Sequence, residues 1–253
     1  MAKAEQKWPD EILIVRHGES AGNVARNKAE ASGHAVIDIP TRDCDVPLSA
    51  LGEQQADALG RWLKGNDERP TAIFTSPYVR AQQTTHFALN AAGLHDVSII
   101  VDERLREKEF GILDSITIAG IRAMHPEQAE MRNRLGKFYF RPPGGESWCD
   151  VILRLRSMID TFTREYRGER LLIVSHQVVV LCFRYLFERL TEEQILEIDH
   201  DADVANCAVT SYVFDPDQGR RGKLALERYN FVAPMLDAGQ KVTRAPDASV
   251  APQ

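Results

Sequence analysis

Two histidines lie directly behind apolar, strand-like runs: EILIVR (11–16) leads into His17, and LLIVS (171–175) leads into His176. One histidine at a strand end is ordinary; two of them, each leaving a buried run, point to a shared crevice beyond the strand ends. The first sits in Arg16-His17-Gly18-Glu19-Ser20, with Asn23 three residues further on. Gly18 allows a sharp turn and close approach of backbone to a ligand. Arg16 offers a planar fork of donors matched to phosphate oxygens, and Asn23 adds an amide donor. Arg80, in TSPYVRA (75–81), falls in the first turn of a predicted helix. Positive charge there opposes the helix dipole, which suggests that an anion compensates it. Glu107 and Glu109, in LREKEFG (105–111), are two carboxylates able to protonate a leaving oxygen and later to activate water. Local sequence alone leaves open which of them would do so.

The elements that must position these groups follow from periodicity. The stretch 21–45 is polar, weakly periodic and broken by Gly33 and Pro40, and reads as a long loop with one helical turn that helps cover the site. Ser49 N-caps a helix whose face carries Leu51, Ala58, Leu59 and Trp62. TAIFTS (71–76) reads as a strand, with a helix starting at Ser76-Pro77. VSIIV (97–101) is a further strand, and residues 112–141 form a mostly helical excursion. Ser147 with Asp150, and Thr191 with Gln194, make capping boxes. A helix over 177–188 and a closing hairpin from AVTSYVF (208–214) and LALERYNF (224–231) complete the reading. Trp8 and Trp148 are expected to be buried at loop contacts. Strands alternating with helices predict an α/β three-layer α/β/α sandwich with a largely parallel sheet: one domain over 1–232, followed by a disordered tail over 233–253.

Composition excludes several classes. The chain has 253 residues, 43% hydrophobic and 27% charged, as in an ordinary globular protein. A formal charge of −6 argues against a general nucleic-acid binder, yet is compatible with an anion site built from clustered arginines. Cys44, Cys149, Cys182 and Cys207 lie far apart, with no metal-ligand spacing, so neither a disulfide framework nor a zinc site is expected. No apolar run approaches the roughly 18 residues of a membrane span, and no signal segment is read at the N-terminus; a cytoplasmic location is expected. HGESAGN lacks the glycine spacing of a dinucleotide fingerprint.

The ordered motifs ILIVRHGES…N, DVPLSALGEQQA, TSPYVRAQQT, LREKEFG, PPGGES and LLIVSHQ resemble the histidine phosphatase superfamily, with its phosphoglycerate-mutase-like fold, from about Ile12 to Phe214. The resemblance implies that His17 is the nucleophile and that Arg16, Arg80 and His176 bind the phosphoryl group, with Asn23 assisting. It also implies Glu107, rather than its neighbour Glu109, as proton donor. No metal or other cofactor is called for.

Within the superfamily, FYFRPPGGESWCDV and SHQVVVLCFRYL are most similar to the bisphosphatase domain of the fructose-2,6-bisphosphate enzymes and their small relatives. Gln177 and Lys137 match positions that touch the sugar phosphate there. Leu181, however, stands where those enzymes carry an arginine. A broader phosphatase acting on small phosphomonoesters is therefore expected, with that small molecule as its partner and neither nucleic acid nor membrane; the oligomeric state is left open. A phosphoglycerate mutase-type phosphotransferase and a non-catalytic phospho-ligand scaffold are the alternatives.

Overall fold

The computed structural model describes residues 6–65 and 69–244. In chain order these form β1 (Glu11–Arg16), α1 (Ala21–Ala31), α2 (Ala50–Gly65), β2 (Ala72–Thr75), α3 (Val79–Ala92) and β3 (Ile99–Val101). Then follow α4 (Ile118–Met124), α5 (Pro126–Tyr139), α6 (Trp148–Glu165), β4 (Arg170–Ser175), α7 (Gln177–Glu188) and α8 (Glu192–Asp201). β5 (Val209–Asp215), β6 (Lys223–Phe231) and α9 (Ala233–Asp237) close the described chain. The sheet runs β3-β2-β4-β1-β5-β6. β3, β2, β4 and β1 are mutually parallel, and β5 and β6 join antiparallel. The chain thus folds as an α/β protein with a mixed, mostly parallel six-stranded sheet flanked by helices.

β1 is buried on both faces because its side chains alternate between two cores. Ile12 and Ile14 pack with Leu155, Met158, Phe162 and Phe183 of α6 and α7. Leu13 and Val15 pack on the other side with Leu59 and Leu63 of α2 and Ala81 and Ala88 of α3. Trp148, at the start of α6, is fully buried, and Trp8 packs edge-on against Phe187. Among the described residues no helix is long and apolar enough to cross a membrane.

Three expectations are corrected. The stretch 21–45 is not mainly loop: residues 21–31 are helical. Ser20 accepts from the Asn23 amide at 3.1 Å, and Asn23 Oδ1 accepts from the Ser20 amide at 3.0 Å. This capping box uses asparagine at N3 instead of Glu or Gln, which hides it from the usual signature. The helix after β2 begins at Val79, not at Pro77, because the Ser76 hydroxyl is committed to the Tyr78 amide and to His176, and Tyr78 is the extended N-cap. The tail is ordered as far as residue 244: Pro234 and Met235 of α9 are buried, Met235 in the core beneath α2. Residues 245–253 lie outside the described residues.

Candidate active site

Register brings the two histidines together. Arg16 of β1 pairs with Ser175 of β4, so His17 and His176 emerge side by side where the strands end. The His17 amide donates to the Ser175 carbonyl at 2.8 Å. Behind it, Asn206 Nδ2 donates to the His17 carbonyl at 3.0 Å, and the Cys207 amide donates to the Arg16 carbonyl at 3.0 Å. Gly18 turns the chain sharply against α2: a Cβ there would lie 2.5 Å from the Gly52 carbonyl oxygen. Glu19 is structural, accepting from Ser49 Oγ at 2.7 Å.

His17 Nδ1 lies 2.7 Å from the Gly18 carbonyl, which can only accept, so Nδ1 carries the proton. Arg80 Nε donates to His17 Nε2 at 3.2 Å, so Nε2 presents a lone pair. Burial, reinforced by the charges of Arg80 and Arg16, holds the His17 pKa well below its ordinary value. The ring is therefore a neutral imidazole with a fixed tautomer. His176 is likewise pushed down, by burial first and then by Arg80 and His17. Its Nε2 lies 2.7 Å from Ser76 Oγ, and its Nδ1 lies 3.9 Å from a Glu107 carboxylate oxygen.

A cavity of about 80 Å³ opens in front of His17. Arg16, His17, Asn23, Arg80 and Glu107, all expected site residues, line it. Arg16 is anchored by donating to the Val204 carbonyl. Asn23 uses its Oδ1 in the helix cap, so its Nδ2 is the group it can offer to a phosphoryl oxygen. Glu107 and Glu109 separate clearly. The Glu107 side chain is 7% exposed and sits at the cavity. The Glu109 side chain is 47% exposed and accepts from the Tyr78 hydroxyl at 2.8 Å, outside the cavity lining.

The PPGGES segment explains how Glu107 is held. Glu146 accepts from Arg106 at 2.7 Å and from Arg154 at 3.1 Å, and Arg154 Nη2 donates to the Glu107 carbonyl at 3.3 Å. Three expected residues do not reach the cavity. His176 is fully buried beside His17 and Glu107, beneath the lining. Gln177 is buried with its amide donated to Asp203 at 2.8 Å; as the first residue of α7 it is held by this acidic side chain, away from the ligand space. Lys137 is paired with Asp199 and is likewise outside the lining.

Sequence reasoning missed Arg26, Asp43, Phe110 and Asp114, which complete the cavity with Ile37 and Ile39. Arg26 could have been found, since it stands one turn from Asn23 on α1, had that helix been recognised. Asp43 and Asp114 lie in irregular segments that carry no periodic signal. Burial, together with the charge of Asp43, raises the Asp114 pKa, while Arg26 opposes that shift.

The profile of the histidine phosphatase superfamily (branch 1) matches residues 12–226. The chain belongs to this superfamily. A 2,3-bisphosphoglycerate-dependent phosphoglycerate mutase of Methylobacterium sp. (strain 4-46) is 30% identical over 187 residues, covering 73% of this chain and 83% of the relative. Two solved phosphatases share the fold. The mycobacterial glucosyl-3-phosphoglycerate phosphatase superposes with TM-score 0.66 at 22% identity, covering 88% of this chain and 99% of that one. The α-ribazole phosphatase from Shigella flexneri gives TM-score 0.67 at 20% identity, covering 87% and 97%. Superfamily, curated relative and fold neighbours together support an enzyme of phosphatase or mutase type.

Proposed function

We propose that this superfamily member is a phosphatase of small phosphomonoesters, working through a phosphohistidine on His17 without a metal. The observation that carries the reading is the locked His17 ring at the cavity lined by Arg16, Arg80 and Glu107, its Nε2 unprotonated and accepting from Arg80. In the first step Nε2 bonds to phosphorus, the bond from phosphorus to the ester oxygen breaks, and protonated Glu107 gives its proton to that oxygen. In the second step the Glu107 carboxylate takes a proton from water, the water oxygen bonds to phosphorus, and the phosphorus–nitrogen bond breaks to return neutral imidazole. Arg16, Arg80 and the Asn23 amide meet the charge spread over the phosphoryl oxygens, the main catalytic demand of such a transfer.

Hydrolysis is favoured over mutase action by the charges around the cavity. A phosphoglycerate brings a carboxylate besides its phosphate, and a bisphosphoglycerate a second phosphate as well. Beyond Arg16 and Arg80 the lining offers one more cation, Arg26, set against Asp43 and Asp114. That balance suits an uncharged alcohol leaving group lying against Ile37, Ile39 and Phe110 better than a second anion.

A phosphate-release screen, run with chelator present, tests this reading on neutral sugar phosphates, phosphoglycerates and an aryl phosphate. Wild type should release phosphate from the neutral esters, and His17→Ala should lose that activity. Acid- and base-quenched samples should show an acid-labile, base-stable phosphoryl adduct in wild type only. Release that survives His17→Ala, or mutase activity that exceeds hydrolysis, would overturn it.

A further inference from the structure

The Arg80 guanidinium, hydrogen-bonded to His17, is gripped at its terminal nitrogens by one residue from another segment. Arg80 is buried at the start of α3, and Asp43 lies in the irregular stretch between α1 and α2. Nη1 donates to Asp43 Oδ1 at 3.0 Å and to the Asp43 carbonyl at 2.5 Å. Nη2 donates to Asp43 Oδ2 at 3.1 Å, and Nε donates to His17 Nε2 at 3.2 Å. A guanidinium has five N–H groups in one plane. Four are assigned here, and the fifth, on Nη2, lies on the same edge as Nε–H. Asp43 therefore fills the far edge of the fork; the other edge faces His17, its Nε–H resting on Nε2 until a phosphoryl group replaces that contact.

Two opposite consequences are open to such a contact. A carboxylate on a phosphate-binding arginine can compete with the phosphate as an internal anion. Alternatively it can hold the arginine so that the remaining edge is aimed. The occupied edge decides between them: Asp43 holds the terminal nitrogens, away from the Nε–H that now points at His17 Nε2 and that a phosphoryl group bonded to Nε2 would take over. Orientation outweighs competition. The planar fork makes this effective, since fixing two terminal nitrogens fixes the direction of Nε–H.

We infer that Asp43 is a positioning residue, which clamps Arg80 from behind so that its Nε–Nη2 edge meets the phosphoryl group on His17. This inference rests on reading the cavity as a phosphoryl site. It also assigns a role to the segment 32–45, which reaches the site through Asp43 and also contributes Ile37 and Ile39 to the cavity wall.

The sign of one measurement separates the two consequences. Deleting a nearby negative charge should, by itself, tighten binding of an anion. Loss of an aimed arginine should loosen it. Inorganic phosphate binding is measured by calorimetry on the full chain for wild type, Asp43→Asn and Asp43→Ala, and for each Asp43 substitution combined with Arg80→Lys. Formation of phosphohistidine from an aryl phosphate is timed in the same set by rapid quench, and thermal melts confirm folding.

The expected result is about tenfold weaker phosphate binding in Asp43→Ala and about tenfold slower phosphohistidine formation, with Asp43→Asn intermediate because it retains one acceptor. In the Arg80→Lys background, where no fork remains to be aimed, Asp43→Ala should change either quantity less than twofold. Tighter phosphate binding in Asp43→Ala, or an undiminished effect in the Arg80→Lys background, would overturn the assignment. A wild type that binds phosphate but never turns over would defeat the phosphatase reading, while the binding comparison still decides the role of Asp43. A wild type that binds no phosphate would defeat both.

Discussion

His17 and His176 meet edge to face, with ring centroids 5.1 Å apart, at the ends of two register-matched parallel strands. Both rings are buried, and both are held below the ordinary histidine range, mainly by desolvation. Neutral imidazole is the form able to attack phosphorus, and the fold keeps His17 in that form at pH values where free histidine is largely protonated, as the proposed phosphatase reaction requires.

That burial has a consequence for stability. Below about pH 6.5 the unfolded chain takes up protons on these histidines, whereas the folded chain does not until its lower pKa values are reached. Stability should therefore fall as pH drops below 6.5, with a slope of up to ~1.4 kcal/mol per pH unit for each histidine. Urea unfolding at a series of pH values checks this. His17→Ala should remove roughly half of the slope these two rings contribute; an unchanged slope would count against burial of the neutral ring.

Glu107 and Glu109 should respond very differently to loss of charge. Glu107→Gln removes the proton donor of the proposed reaction and should lower kcat on alkyl phosphates by about 100-fold or more. On an aryl phosphate, whose leaving group needs little protonation, the loss should be distinctly smaller for the first step. Glu109→Gln should leave kcat within about threefold, since that carboxylate faces Tyr78 outside the cavity. Steady-state kinetics on both substrate classes decides between the two residues.

Gly52, in the LGEQQA segment, should tolerate no side chain. A Cβ there would run into the carbonyl oxygen of Glu19, a backbone atom in the turn that carries His17. Neither the start of α2 nor that turn can move without the other, since Ser49 donates its amide to the same carbonyl at 2.8 Å. Gly52→Ala should cost about 2 kcal/mol or more in denaturant unfolding and reduce activity in parallel. A variant as stable as wild type would show that the turn can yield.

The chain beyond β6 reaches the His17 turn through a relay of hydrogen bonds. Thr243 donates to Asn206 Oδ1 at 3.0 Å, Asn206 donates to the His17 carbonyl, and Gln55 bridges Thr243 and the Glu19 amide. Asn206→Ala leaves that buried carbonyl without its side-chain donor, a change of about 1–3 kcal/mol in stability. The shifted His17 backbone should lower kcat by about tenfold while phosphate binding, which rests largely on the arginines, changes less. Paired melts and kinetics test both halves of this expectation.

Much of the scaffold was legible because its signals are local. The apolar runs of β1 and β4, the capping boxes Ser147–Asp150 and Thr191–Gln194 and the helix Gln177–Glu188 appear as their residues predict. The readings that failed share a cause. The cap of α1 uses an asparagine in an unusual place, the Ser76 hydroxyl is diverted to His176, and α9 buries only the adjacent pair Pro234 and Met235. None of these leaves a periodic apolar pattern.

By itself the sequence singled out the candidate residues: Arg16 and His17 after β1, His176 after β4, Arg80 near the start of α3, and the pair Glu107 and Glu109 in one charged loop. Their types and the motifs around them are properties of short segments. Only the tertiary structure decided that Glu107 rather than Glu109 faces the cavity, that Gln177 turns away to Asp203, and that Asp43 grips Arg80. Those outcomes depend on which segments, distant in sequence, compete for the same donors and acceptors once the chain is closed. Hydrogen bonding between irregular segments has no period to read, so it is settled only when packing brings them within reach.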